Sequence, residues 1–76
     1  MKKLEKGMTI GYLQLPWKNR YKHQSFHDIS VRDVYPDGKY VKLRATIAFG
    51  GVHTDWFSVK DIIECNYGEK ILDKFV

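Results

Sequence analysis

Residues 40–49 alternate strictly: Val41, Leu43, Ala45, Ile47 and Phe49 share one parity, and Tyr40, Lys42, Arg44, Thr46 and Ala48 share the other. Only an extended chain sends successive side chains to opposite faces, so this period of two specifies a half-buried β-strand rather than a helix. The run ends at Gly50-Gly51. A two-residue hairpin turn needs positive φ at its central positions, which glycine reaches without a Cβ clash. With these glycines as the turn, Phe49 faces Val52. Ile47 and Ala45 then face Thr54 and Trp56 on the core side, while Thr46 and Arg44 face Asp55 and Phe57 on the other. The large indole lies opposite the small Ala45, as dense packing favours.

The neighbouring segments continue the β pattern. Residues 25–35 read as a strand that turns back through Pro36-Asp37-Gly38. Within it Ile29 and Val31 share a parity that Val34 does not, so a β-bulge near Arg32-Asp33 is expected to restore the register. Residues 8–15 form a mixed first strand, with Met8, Ile10, Tyr12 and Gln14 on one side, Leu13 and Leu15 on the other, and Pro16 at its end. Ser58 is placed to cap one 3₁₀ turn over residues 58–61, with Asp61 reaching back to it. Residues 62–66 resume as a last strand. The tail, residues 67–76, sets Tyr67, Ile71, Leu72 and Phe75 at helical spacing, but so short a helix is marginal unless it docks on something.

A chain of 76 residues holds one domain, with residues 7–66 as its body and 67–76 as a helical tail. The four Phe, two Trp and five Tyr suit the compact core that this length demands, and the single Cys65 makes neither an internal disulfide nor a multi-cysteine metal cage. A reducing cytoplasm is the expected setting. No apolar h-region follows Lys2-Lys3, and no apolar run approaches the ~20 residues of a membrane span, so neither a signal peptide nor a transmembrane helix is expected.

The order of strand, long loop, bent strand, turn, strand, tight hairpin, strand, 3₁₀ turn and strand resembles an SH3-like small barrel. Residues 50–62, Gly-Gly-Val-His-Thr-Asp-Trp-Phe-Ser-Val-Lys-Asp-Ile, look like that fold's distal hairpin, fourth strand and one-turn link to strand five. The resemblance implies a mainly β fold: a five-stranded antiparallel barrel with a 3₁₀ turn before the last strand and a short C-terminal helix. The acidic loop and aromatic dipeptide of signalling SH3 domains are missing, and residues 17–24 are basic in their place. In charge the chain is more similar to the KOW-like, Tudor-like and Sm-like barrels, although architecture alone assigns no task.

The basic residues are concentrated early. Lys2, Lys3, Lys6, Lys18, Arg20 and Lys22 precede residue 25 with Glu5 as their one anion, whereas the other seven cations share the rest of the chain with eight anions. Such asymmetry suits phosphate or an acidic partner, and equally suits lysines that keep a small domain soluble. Trp17 and Tyr21 are interleaved with Lys18, Arg20, Lys22 and His23, which combines ring stacking with charge, the chemistry of single-strand binding. The same rings serve equally as lids on the core. A second patch is the outward row Tyr40, Lys42 and Arg44, with Phe57 across from Arg44 and Tyr35 across from Tyr40, which also suits cross-strand and cation–π packing.

Chemistry beyond binding is not expected. His23 and His27 diverge along a loop and a strand, Cys65 lies far from both, and no ligand pair repeats, so neither a metal nor another cofactor is called for. Cys65 has no local base, and His53 with Asp55 reads as a surface pair rather than an acid–base couple. The expected function is a non-enzymatic module that contacts nucleic acid. Its alternative is a protein-interaction module or homo-oligomer subunit using the outward aromatic row and the apolar tail, with Ile71, Leu72 and Phe75 as a homodimer contact.

Overall fold

Two irregularities in one strand allow the sheet to bury side chains of both parities. The computed structural model describes residues 3–16, 23–47 and 50–76, except for the side chains of residues 23 and 24. Strands β1 (Thr9–Pro16), β2 (His23–Val34), β3 (Tyr40–Ile47) and β4 (Val52–Ser58) form one antiparallel sheet in the order β1-β2-β3-β4. Between β2 and β3 the register shifts once between His27 and Ser30 and again between Val31 and Asp33. The second shift is the bulge expected at Arg32, and it brings Val34 to the side of Val31. The first centres on Asp28, at φ 52°, so that Phe26 and Ile29 both reach the core. Strand β1 changes parity at the same level: Ile10 pairs with Ile29, Leu13 pairs with Phe26, and all four are buried.

The chain leaves β4 as a helix, which corrects the expected barrel. The sheet has four strands and is not closed. Where a 3₁₀ turn and a fifth strand were expected, α1 runs over Val59–Cys65. Ser58 is its N-cap, as expected, and accepts the Asp61 N–H at 3.4 Å, while the Asp61 carboxylate suits the positive end of the helix. Val59, Ile62 and Ile63 then fall on one helical face, with Ile62 fully buried. An apolar run this short fits either period, and the cap decides it.

Helix α1 ends in a Schellman motif, with the Gly68 N–H on the Ile63 carbonyl at 3.0 Å and the Tyr67 N–H on the Glu64 carbonyl at 3.5 Å. The left-handed position is held by Tyr67, at φ 64° and 89% exposed. A Cβ there costs energy that glycine avoids, and so exposed a ring gives little packing in return. Tyr67→Gly is expected to raise stability by about 1 kcal/mol, read as a higher urea midpoint; an unchanged or lower midpoint contradicts this account of the cap.

The short helix expected of the tail is a 3₁₀ segment, Glu69–Lys74. It docks on its own chain: Leu72 and Phe75 are buried with Leu4, Leu15, Phe26, Leu43, Phe57 and Ile62 in one core cluster. This removes Leu72 and Phe75 from the homodimer contact expected of Ile71, Leu72 and Phe75. Among the described residues no helix is long and apolar enough to cross a membrane.

Candidate binding face of the sheet

The register of the β3–β4 hairpin determines which aromatic residues reach the surface. The Ile47 carbonyl accepts the Gly50 N–H at 2.9 Å, and the Ile47 N–H donates to the Gly51 carbonyl at 3.1 Å. The connection is therefore longer than two residues, with Gly50 at φ 93° in the glycine position of a bulged hairpin. Thr46 pairs with Val52, Arg44 with Thr54, Lys42 with Trp56 and Val41 with Phe57. This register lies three residues from the expected one, and an odd shift exchanges the faces of β4. Phe57 is buried opposite Val41, and Trp56 is turned outward beside Lys42. The expected pairs Ala45–Trp56 and Arg44–Phe57 do not form.

Helix α1 and the tail contribute their buried residues to one side of the sheet, that of Val41, Leu43 and Ala45. On the opposite side lie Tyr40, Lys42, Arg44 and Thr46 of β3, Thr54 and Trp56 of β4, and His27, Ser30 and Asp33 of β2, none of them buried. Tyr35 continues this face beyond β2, its N–H donating to the Tyr40 carbonyl at 3.0 Å. Its ring stands edge-on to Tyr40, with centroids 5.7 Å apart, and to Trp56 at 4.8 Å. The three rings line an open notch of about 260 Å³. Tyr35 and Tyr40 remain nearly half exposed. Toward the other end of the sheet, Tyr12 meets His27 edge-on at 5.4 Å, and its hydroxyl lies 2.7 Å from the Ser25 hydroxyl.

Of the residues singled out from sequence, Tyr40, Lys42 and Arg44 do share this outward face, and Tyr35 is across from Tyr40. Trp17, Lys18, Arg20, Tyr21 and Lys22 lie outside the described residues. Trp56 lies on the opposite face to the expected one, and the signal that could have placed it was Phe57, a second large apolar ring on the other parity. The cations are unevenly opposed: Lys42 pairs across strands with Asp33, whose Oδ1 accepts the Val34 N–H at 2.9 Å, while Arg44 lies between Ser30 and Thr54.

Among the described residues, reactive chemistry does not converge elsewhere. The Cys65 thiol is held above its ordinary pKa by burial, and secondarily by the negative charges of Asp61 and Glu64. It is therefore a poor nucleophile at neutral pH. His53 Nε2 and Asp55 Oδ2 are 3.9 Å apart, too long for a hydrogen bond. Among the described residues no three His, Cys, Asp or Glu side chains are grouped to hold a metal ion. A larger groove of about 650 Å³ lies between α1 and the start of β3, lined by Lys39, Lys60, Val59, Ile63, Glu64 and Glu69 among others. Its lining charges are mixed. No protein-family model matches the chain, and neither a curated protein nor a solved structure matches it.

Proposed function

We propose that the chain is a non-enzymatic binding module whose uncovered sheet face takes single-stranded nucleic acid. The observation that carries this reading is the group of three rings, Tyr35, Tyr40 and Trp56, on a face with no buried residue and with Lys42 and Arg44 beside it. Unpaired bases stack on exposed rings whatever their sequence, and neighbouring cations release counterions from the phosphates. Duplex bases offer no free faces for such stacking. By composition, the segment that joins β1 to β2 has in Trp17, Lys18, Arg20, Tyr21 and Lys22 the rings and charge that suit the same class of ligand.

The test is fluorescence anisotropy of short labelled oligonucleotides, single- and double-stranded, across a salt series. Single strands are expected to bind at ~50 mM salt and to weaken as salt rises, and Arg44→Gln to flatten the salt slope by about 0.7. Trp56→Ala is expected to weaken binding by about fivefold to a hundredfold, the equivalent of one stacked base. Absence of single-strand binding at ~50 mM salt overturns the reading and leaves the same rings to a protein partner.

A further inference from the structure

The two edges of the sheet are finished differently. On β1, Thr9 exchanges two backbone hydrogen bonds with Val76, its N–H donating at 2.7 Å and its carbonyl accepting at 2.8 Å. Farther along the same edge, the Asn66 side chain accepts the Gln14 N–H at 3.1 Å and donates to the Gln14 carbonyl at 2.8 Å. The outer edge of β1 is thereby occupied at both ends by the chain itself. Strand β4 forms the other edge and, among the described residues, pairs only with β3. Its ladder contacts at Ile47–Gly51 and Lys39–Val59 put odd-numbered residues in the bonded pairs, so Val52, Thr54 and Trp56 turn their N–H and C=O groups away from β3. Among the described residues, the one side-chain partner on this edge is the Asp55 Oδ1, which accepts the Trp56 N–H at 2.7 Å. Exposed edges of this kind invite pairing with another strand.

We propose that β4 pairs antiparallel with β4 of a second copy of the chain, about a two-fold axis at Thr54. The residues are self-complementary in that register. Thr54 meets Thr54 of the second copy, a favoured cross-strand pair. His53 lies across from Asp55 of the second copy, and Asp55 from its His53, so that an imidazole and a carboxylate meet twice on the core side. Val52, which is 53% exposed, lies across from Trp56 of the second copy on the outward side. A two-fold axis at Asp55 instead sets carboxylate against carboxylate, which disfavours that register. In the dimer the Trp56 N–H exchanges the Asp55 carboxylate for the Val52 carbonyl of the second copy. The Asp55 carboxylate is released to face the imidazole across the interface. The product is a continuous eight-stranded sheet, and this inference stands independently of the nucleic-acid reading.

Sedimentation equilibrium over a rising concentration series tests it, with circular dichroism as the check on folding. The wild-type chain of 9.0 kDa is expected to reach twice that mass. Thr54→Lys sets two ammonium groups together on the axis, and Thr54→Pro deletes an N–H that β3 does not use. Both variants are expected to stay monomeric, with the wild-type dichroism spectrum. A wild-type chain that remains monomeric at millimolar concentration overturns the proposal, as does a Thr54→Lys variant that dimerises as readily as wild type.

Discussion

Phe75→Ala is expected to lower stability by about 3–5 kcal/mol. A domain of this length has a total of roughly 4–11 kcal/mol, so the substitution removes a large part of it. The reason is the position of the ring: Phe75 is fully buried in the same cluster as Phe26, Leu43 and Ile62, although it is the penultimate residue of the chain. Truncation leaves a cavity beneath the sheet and also loosens the anchor that holds Val76 against Thr9. Thermal unfolding followed by circular dichroism should show a midpoint lower by about 12 °C or more. Val76→Ala is the control: its side chain is 80% exposed, and it should shift stability by no more than about 0.5 kcal/mol. Equal melting of Phe75→Ala and wild type contradicts the docking of the tail.

Asn66→Ala is the second large effect, at about 2–4 kcal/mol. One side chain here makes three hydrogen bonds: it accepts the Gln14 N–H, donates to the Gln14 carbonyl at 2.8 Å and donates to the Ile62 carbonyl at 2.8 Å. It imitates a neighbouring strand on the edge of β1 while closing the end of α1. Alanine leaves both Gln14 backbone groups part-buried without these partners, and Asn66→Asp keeps the acceptor but sets a carboxylate oxygen against two carbonyls. Amide hydrogen exchange reads the loss directly. The Gln14 N–H is expected to exchange far faster in Asn66→Ala while the central amides of β3 are protected up to the reduced global stability; unchanged protection at Gln14 contradicts this role.

Much of the sheet was legible because alternation is a strong constraint. The phase of β3 follows from Val41, Leu43 and Ala45, all of which are buried, and the Arg32 bulge follows from the conflict between Val31 and Val34. The same reasoning applied to Phe26 and Ile29 identifies the Asp28 irregularity, which the sequence analysis missed because Asp28 and His27 are polar and do not interrupt a hydrophobic count. Other features depend on contacts remote in sequence. Ile62-Ile63 fits a strand or a helix until the local Ser58 cap is joined by the Asn66 bonds to β1, which link residues 52 positions apart. The hairpin failed by its loop: a glycine pair suits a two-residue turn, but burial of Phe57 against Val41 selects the longer connection. The candidate face was therefore half legible, with Tyr40, Lys42 and Arg44 placed correctly and Trp56 recovered only once the register was known.

The proposed working surface is the side of the sheet that the described residues leave uncovered. Backbone amide chemical shifts recorded by NMR during addition of a single-stranded oligonucleotide test it residue by residue. The largest shifts are expected at Tyr35, Tyr40, Lys42, Arg44 and Trp56, with α1 and the 3₁₀ segment Glu69–Lys74 little changed. Shifts confined to α1 and the tail, or no shifts at all, contradict it.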